Sequence, residues 1–197
     1  MIVIHSVEEL VAEIRARSRG VAVFVVALDG RSGTGKSSVA AWLGTELGAA
    51  AVDCDDFYTG GNDADWAARP PAERAAEAID WRRLRREVVE PLRAGGTATW
   101  LPYDWDEGRG PAPRPTSLAP ARIVVLDGAY TARPELADVV DLPVLVELDH
   151  ALRRERVSQR EGEEFADGWY AVWDAAEEYY FTTIRPRESF AIVFMRA

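Results

Sequence analysis

The sequence contains little of what marks secreted, zinc-binding or membrane proteins. Only one of its 197 residues is a cysteine, Cys54. A single cysteine can form neither an intramolecular disulfide nor a multi-cysteine zinc site, and such usage is typical of a reducing compartment, so we expect a cytoplasmic protein. The longest apolar run, residues 21–28, is far shorter than the ~20 residues of a membrane-spanning helix. Residues 1–20 also lack the pattern of a signal peptide, and we expect no membrane partner.

Positive charge is scarce as well. The chain has 33 acidic and 23 basic side chains, a formal net charge of −10, and its only lysine is Lys36. General binding of nucleic acid needs a clustered basic surface, so we expect no nucleic-acid partner. A bound anion would have to be held locally. A chain of 197 residues, 48% of them hydrophobic, is typical of one domain with a sizeable core.

Strand and helix patterns alternate along the chain. The predicted strands are the apolar runs 21–28, 122–126 and 142–148 and the shorter segments 49–52 and 190–195. Helical spacing is found at 7–17, 36–47, 71–93, 134–139, 150–160 and 167–184, and residues 108–120 read as a proline-rich loop. This alternation predicts an α/β fold, a three-layer α/β/α sandwich with a mainly parallel central sheet.

The most specific motif is Gly30-Arg31-Ser32-Gly33-Thr34-Gly35-Lys36-Ser37, which satisfies G-x-x-x-x-G-K-[ST] between a predicted strand and a predicted helix. In such a phosphate loop the glycines let backbone N–H groups surround an anion, and the helix N-terminus adds partial positive charge. Lys36 would reach the β- and γ-phosphates, and the Ser37 hydroxyl would ligate Mg²⁺. We assign residues 30–37 and Ser38 to nucleotide binding. A guanine-reading N-K-x-D motif would need a second lysine, so the expected cofactors are ATP and Mg²⁺.

Acidic and basic side chains follow the other predicted strands. Asp53, Asp55 and Asp56 come after the strand 49–52, where a carboxylate could accept the proton of an attacking hydroxyl, or could simply belong to a solvated loop. Asp127 ends the strand 122–126 and is placed either to hold Mg²⁺ or in an ordinary turn. The helix 150–160 carries four arginines that could close over phosphates, although some would form a solvated face: Arg153, Arg154, Arg156 and Arg160.

Taken in order, these motifs resemble the uridine kinase and phosphoribulokinase-like group of P-loop kinases over residues 21–193. Asp55-Asp56-Phe57-Tyr58 is similar to the family's D-[SD]-F-Y element, and Pro102-Tyr103-Asp104 to its P-x-Y-D stretch. Val125-Leu126-Asp127-Gly128 is similar to V-x-E-G, with Asp in place of the usual Glu. Arg160-Glu161 is similar to the R-D pair of the arginine-bearing lid. The resemblance implies one kinase domain, residues 1–197, with a substrate-binding insertion at 57–120 and a lid region at 150–168.

The resemblance also implies roles for individual residues. Asp55 would be the catalytic base, acting with Lys36 and Arg160, while Arg156 would contact the nucleotide and Ser37 and Asp127 the metal. The implied reaction is transfer of the γ-phosphoryl group of ATP to a hydroxyl of a small molecule, first of all a nucleoside such as uridine or cytidine. Asp55 is also expected to contact that substrate, together with four further residues: Tyr58, Tyr103, Trp105 and Arg153.

Two departures from the family pattern leave the acceptor open. A histidine that reads the base in uridine kinases is replaced by Gly108, and the residues that hold the ribose are replaced by the segment 73–76. A sugar, vitamin or specialised metabolite is therefore an alternative acceptor, and an ATP-binding switch without an acceptor is a second alternative. A homo-oligomer is compatible with the aromatic residues near the C-terminus, and Cys54 is either a reactive thiol or a buried apolar residue.

Overall fold

The structure is a computed structural model that describes residues 1–108, 110–162, 168 and 170–196. Part of the predicted lid region, residues 163–167, and the start of the helix predicted at 167–184 therefore lie outside the described residues.

Six parallel strands form the central sheet. In chain order the eight strands of the described chain are β1 (Ile2–Ile4), β2 (Phe24–Asp29), β3 (Ala50–Asp53), β4 (Ala98–Trp100), β5 (Thr116–Leu118), β6 (Ile123–Asp127), β7 (Leu142–Glu147) and β8 (Ile192–Met195). The sheet order is β1-β8-β7-β2-β6-β3, with every neighbouring pair parallel, and β4 and β5 form a separate antiparallel ribbon. The predicted parallel sheet is confirmed, and β1 is an edge strand that the sequence pattern did not reveal.

Seven helical segments connect the strands within the described residues. They are α1 (Val7–Arg17), α2 (Lys36–Leu47), α3 (Asp63–Ala68), α4 (Pro71–Glu77), α5 (Trp81–Arg83, continued by a π-helical Leu84–Val89 and by Glu90–Arg93), α6 (His150–Glu161) and α7 (Ala175–Tyr179 between π-helical Tyr170–Asp174 and Tyr180–Ile184). Short 3₁₀ turns lie at Cys54–Phe57, Pro134–Leu136 and Arg187–Ser189. Ser6 and Glu9 form a reciprocal capping box that fixes the start of α1.

Apolar side chains fill both faces of the sheet. On one face, Val26 of β2 packs in a cluster with Ile14 of α1 and Leu43 of α2. On the other face, Val25 packs in a second cluster with residues of α5 and α7. Successive side chains of a strand point to opposite faces, so burial on both sides explains why β2 is an unbroken apolar run rather than an alternating one. The predicted three-layer sandwich is confirmed.

The helix predicted at 71–93 is wrong as a single element. It breaks at residues 78–80, because Ile79 forms a β-bridge with Tyr58 and the Asp80 N–H donates to the Phe57 carbonyl at 2.8 Å. The Asp80 carboxylate then caps α5 by accepting the N–H groups of Arg82 and Arg83. These contacts join residues distant in sequence, so local periodicity could not reveal them.

Two further segments differ from their predicted structure. The segment 134–139 forms only the 3₁₀ turn Pro134–Leu136, and the predicted loop 108–120 contains β5, which pairs with β4. None of the helices in the described part of the chain is long and apolar enough to cross a bilayer.

Candidate active site

The phosphate loop, residues 30–37, joins β2 to α2 and has the shape that an anion site needs. Gly33 and Gly35 have φ values of 80° and 82°, where a side chain would be strained. Helix α2 begins without a side-chain cap, so the N–H groups of its first turn remain for an anion. The Lys36 Nζ donates to the carbonyls of Gly30 at 2.8 Å and Arg31 at 3.2 Å. An ammonium has three donors, so one is left for a phosphate oxygen.

Arg196, which directly follows β8, lies on the outside of this loop. Its Nη1 donates to the carbonyls of Thr34 at 3.2 Å and Gly35 at 2.9 Å. A Cβ built on Gly35 would lie 1.8 Å from that Nη1 and 3.5 Å from Nη1 of Arg156. Burial and the neighbouring charge of Arg156 lower the pKa of Arg196. The structure thus places Arg156, a predicted nucleotide contact, near the loop together with Arg196. No motif includes Arg196, and only its position after a predicted strand could have indicated it.

Asp29, the last residue of β2, is a central anchor that sequence reasoning missed. One carboxylate oxygen accepts the N–H groups of Gly30 at 2.8 Å and Tyr130 at 2.9 Å. The other accepts the Ala132 N–H and the Tyr180 hydroxyl, both at 2.9 Å. Tyr130 has a left-handed φ of 66°, and this strained conformation is held by the bond to Asp29. The position of Asp29 as the one carboxylate at the end of an otherwise apolar strand could have indicated this role from the sequence.

The proposed base Asp55 lies on the 3₁₀ turn that follows β3, at the same carboxyl edge of the parallel sheet as the phosphate loop. The Asp53 carboxylate caps this turn by accepting the Asp55 N–H at 3.0 Å. Displacement of solvent by the surrounding protein, followed by the negative charge of Asp53, raises the pKa of Asp55 to about 6. The charges of Lys36 and Arg160 act in the opposite direction. The three residues predicted to be catalytic are therefore close enough to interact electrostatically.

Asp127 and Ser37, the predicted metal ligands, lie close to each other. Strand pairing sets Asp127, at the end of β6, directly beside Asp53 of β3. The Asp127 Oδ1 is buried and has no hydrogen-bond partner. Burial raises the pKa of Asp127, and a hydrogen bond with Ser37 and the charge of Lys36 oppose this shift. An orphaned carboxylate oxygen beside a hydroxyl suits Mg²⁺. Among the described residues no group of three His, Cys, Asp or Glu side chains is placed to hold a metal ion.

Five side chains form what we call the aromatic cluster next to Asp55: Tyr58, Trp66, Tyr103, Trp105 and Trp173. The Tyr58 ring stacks on Trp105 with centroids 5.2 Å apart, and the edge of Tyr103 meets both rings at 5.0 and 4.8 Å. Trp105 is 59% exposed, whereas Tyr103 is 8% exposed. The indole of Trp100 instead donates to Asp56 at 2.7 Å, outside this cluster. Of the three aromatic residues expected to contact the substrate, Tyr58, Tyr103 and Trp105, Trp105 is therefore the most exposed.

Arg153 and Cys54 are both buried, which bears on the roles considered for them. Arg153 is 3% exposed, and it donates to the Ser32 carbonyl at 3.0 Å and pairs with Asp174 and Glu177. These contacts tie it to the phosphate loop and do not support its predicted role in substrate binding. Cys54 is fully buried, and burial raises the pKa of its thiol, so it is the apolar residue of the two alternatives rather than a reactive thiol.

Comparisons with known proteins support the fold. No family model matches the sequence, and a search of curated proteins finds no significant match. Similar solved structures include a protein designated a possible uridine kinase from Bacillus stearothermophilus, with 20% identity, a TM-score of 0.72 and coverage of 95% of this chain and 96% of that chain. A candidate fructose transport system kinase from a Silicibacter species has 19% identity, a TM-score of 0.72 and coverage of 96% and 98%.

A D-glycerate 3-kinase from Cryptococcus neoformans is similar at 13% identity with a TM-score of 0.63, and the alignment covers 96% of this chain and 94% of that one. These similarities extend over nearly the whole chain, which agrees with the span of the motif resemblance. The chain therefore has the fold of the uridine kinase-like group of P-loop kinases.

Proposed function

We propose that this protein is an ATP-dependent kinase that transfers the γ-phosphoryl group to a hydroxyl of a small molecule. The observation that carries this proposal is the position of Asp55, which follows β3 at the carboxyl edge of the sheet and lies within the electrostatic reach of both Lys36 and Arg160. A nucleotide switch needs the phosphate loop but does not need a base beside it. A kinase needs both.

In this proposal each group has a separate task. Asp55 accepts the proton of the acceptor hydroxyl as its oxygen attacks the γ-phosphorus. The free N–H of Lys36, the loop amides and Arg160 stabilise the charge of the transferred group. Ser37 and Asp127 would hold Mg²⁺, which supplies neutralisation of phosphate charge when bound. Arg156 and Arg196 lie where they would contact the nucleotide at the outer side of Gly35.

The acceptor site lies between Asp55 and the aromatic cluster. Its rings favour an acceptor with a planar or apolar face, and a nucleoside such as uridine or cytidine is our first candidate. A nucleoside would need Glu73, Asp65 or Glu77 to hold its ribose. Two of these acids are engaged, since Asp65 accepts from Asn62 and Glu77 pairs with Arg69. The space around Gly108 is open. These two features keep a sugar, a vitamin or another hydroxyl compound as the second candidate.

The test is ADP release with ATP and Mg²⁺ across a panel of nucleosides, sugars and pantothenate, with mass spectrometry of the products. We expect Asp55→Asn to lower turnover by at least ~10²-fold, the usual contribution of a general base. Asp56→Asn is the matched control, because an asparagine oxygen can still accept the bond from Trp100, and turnover should stay within a few-fold of wild type.

Each outcome selects one candidate. A phosphorylated nucleoside that the Asp55→Asn variant does not produce supports the first candidate. A different phosphorylated hydroxyl compound removes the nucleoside but keeps the kinase. ATP hydrolysis that ignores every acceptor and depends on a protein partner identifies a switch and refutes the kinase. Near-normal transfer by Asp55→Asn removes Asp55 from the role of base.

A further inference from the structure

A buried carboxylate that no motif predicted lies directly behind the phosphate loop. Glu177 of α7 is 2% exposed. Its Oε1 accepts the backbone N–H of Ser32 at 2.9 Å and the Ser32 hydroxyl at 2.6 Å. Its Oε2 is buried without a hydrogen bond and lies 3.6 Å from Nη1 of Arg153. Burying a carboxylate is costly, and the hydrogen bonds and ion pair of Glu177 are with Ser32 and Arg153, so its placement here needs an explanation.

Ser32 is consequently held by all of its polar groups. Glu177 takes its N–H and its hydroxyl, and Arg153 of α6 donates to its carbonyl at 3.0 Å. We call these three residues the Ser32 clamp. The clamp joins α6, which carries the lid arginines, and α7 to the phosphate loop.

The planar trans peptide turns these contacts into an orientation of the loop. In a trans peptide the N–H and the preceding C=O point in opposite directions. Because the Ser32 N–H points to Glu177, the Arg31 carbonyl points the other way, and there it accepts from Lys36 Nζ at 3.2 Å. Because the Ser32 carbonyl points to Arg153, the N–H of Gly33 points away from Arg153. Glycines adjoin this segment, and they permit peptide rotations that other residues would resist.

We propose that Glu177 is a positioning residue of the nucleotide site, acting through Ser32 to hold the Arg31 carbonyl against Lys36 and the loop amides toward the phosphates. The proposal rests on the nucleotide binding of the proposed function, but not on the identity of the acceptor. In this role the length of the Glu177 side chain, which brings its oxygen to Ser32, matters more than its negative charge.

Isothermal titration calorimetry with Mg·ADP tests this, because it needs neither acceptor nor turnover. Glu177→Gln keeps a side-chain oxygen at the same distance from the backbone, so its affinity for Mg·ADP should stay within about threefold of wild type. Glu177→Asp keeps the charge but shortens the side chain, so its affinity for Mg·ADP should fall about tenfold, equivalent to about 1.4 kcal/mol. Glu178→Gln is the matched control, since Glu178 is the next residue of α7 and forms an exposed pair with Arg31. Its affinity should change less than twofold.

The alternatives give different results. If the Asp variant binds better than the Gln variant, Glu177 acts by charge and the positioning role is refuted. If Glu177→Asp lowers the melting temperature but leaves the Mg·ADP affinity and the KM for ATP unchanged, Glu177 is merely structural and the positioning role is refuted. If Glu177→Asp does not fold, Ser32→Ala provides the test, because it removes only the hydroxyl that donates to Glu177. It must weaken Mg·ADP binding by a similar factor in the wild type and in Glu177→Gln, which keeps the accepting oxygen, or the proposal fails. A wild type that does not bind Mg·ADP refutes the proposed function instead.

Discussion

At the scale of single residues, the pKa of Asp55 determines how activity should depend on pH. Desolvation and the charge of Asp53 raise this pKa to about 6. A general base works only when deprotonated, so kcat/KM should be constant well above pH 6 and should fall about tenfold per pH unit well below it. The check is a pH profile of kcat/KM, with Mg·ADP affinity measured at the same pH values. A rate that stays constant down to pH 5 would contradict the role of Asp55.

A second residue-scale prediction concerns Asp29. Asp29→Asn replaces one of its two oxygens by an NH₂ group, which would face an N–H or a hydroxyl that now donates to the carboxylate. Leaving a buried donor without an acceptor costs about 1–3 kcal/mol, so we expect a fall of that size in the free energy of unfolding. Urea denaturation at pH 7 measures it. Tyr180→Phe, which removes one of the four donors, should cost less, and equal effects would contradict the assigned network.

At the scale of elements, two glycines near α2 should respond to alanine in opposite ways. Gly33 has a φ of 80°, and a Cβ there would lie 2.6 Å from the Arg153 carbonyl. Gly44 lies inside α2, and a Cβ there would meet only the Ala49 carbonyl at 3.5 Å, an ordinary contact. Gly44→Ala should raise the free energy of unfolding by about 0.5–1 kcal/mol, because alanine loses less backbone entropy in a helix.

Gly33→Ala should do the reverse, lowering stability by at least ~1 kcal/mol through backbone strain, and it should weaken Mg·ADP binding as well. Thermal denaturation and calorimetry on both variants provide the comparison. A Gly33→Ala variant as stable and as tight-binding as wild type would show that the phosphate loop has a different conformation.

The break between α4 and α5 shows that tertiary contacts can override local helix propensity. Residues 71–93 have the composition of one helix, but Ile79 and Asp80 bond to residues of the Asp55 turn instead. The break connects the predicted substrate region to the turn that carries Asp55. The division of residues 57–120 as a substrate-binding insertion stays a prediction that such ties support.

At the scale of the whole molecule, the net charge of −10 means that nucleotide binding depends on one local site. A ligand present at a hundred times its Kd adds about 2.7 kcal/mol to the stability of the folded state. For a chain of this size that corresponds to a rise in Tm of about 5–10 °C. Mg·ATP should produce this shift in the wild type and none at the same concentration in Lys36→Ala. Differential scanning fluorimetry measures it, and an unshifted wild type would contradict nucleotide binding.

The sequence by itself determined the alternation of strands and helices around the phosphate loop, and the chemistry of that loop. The phosphate loop is a contiguous motif whose glycines and lysine act on neighbouring peptide groups, and β2 is apolar throughout because it is covered on both faces. Such features depend on local geometry and on burial, which a linear pattern records. For the same reason the start of α1 could be predicted from the Ser6–Glu9 capping box and the end of α2 from Gly48.

Only the tertiary structure decided which charges meet. Asp29, Glu177 and Arg196 are far from one another in sequence and belong to no motif, yet each contacts the phosphate loop. Arg153, which the helix pattern placed among the lid arginines, is instead buried behind that loop. A hydrogen bond depends on distances of about 3 Å between atoms, and the packing of α6, α7 and β8 against the sheet sets those distances, so no spacing along the chain could have determined them.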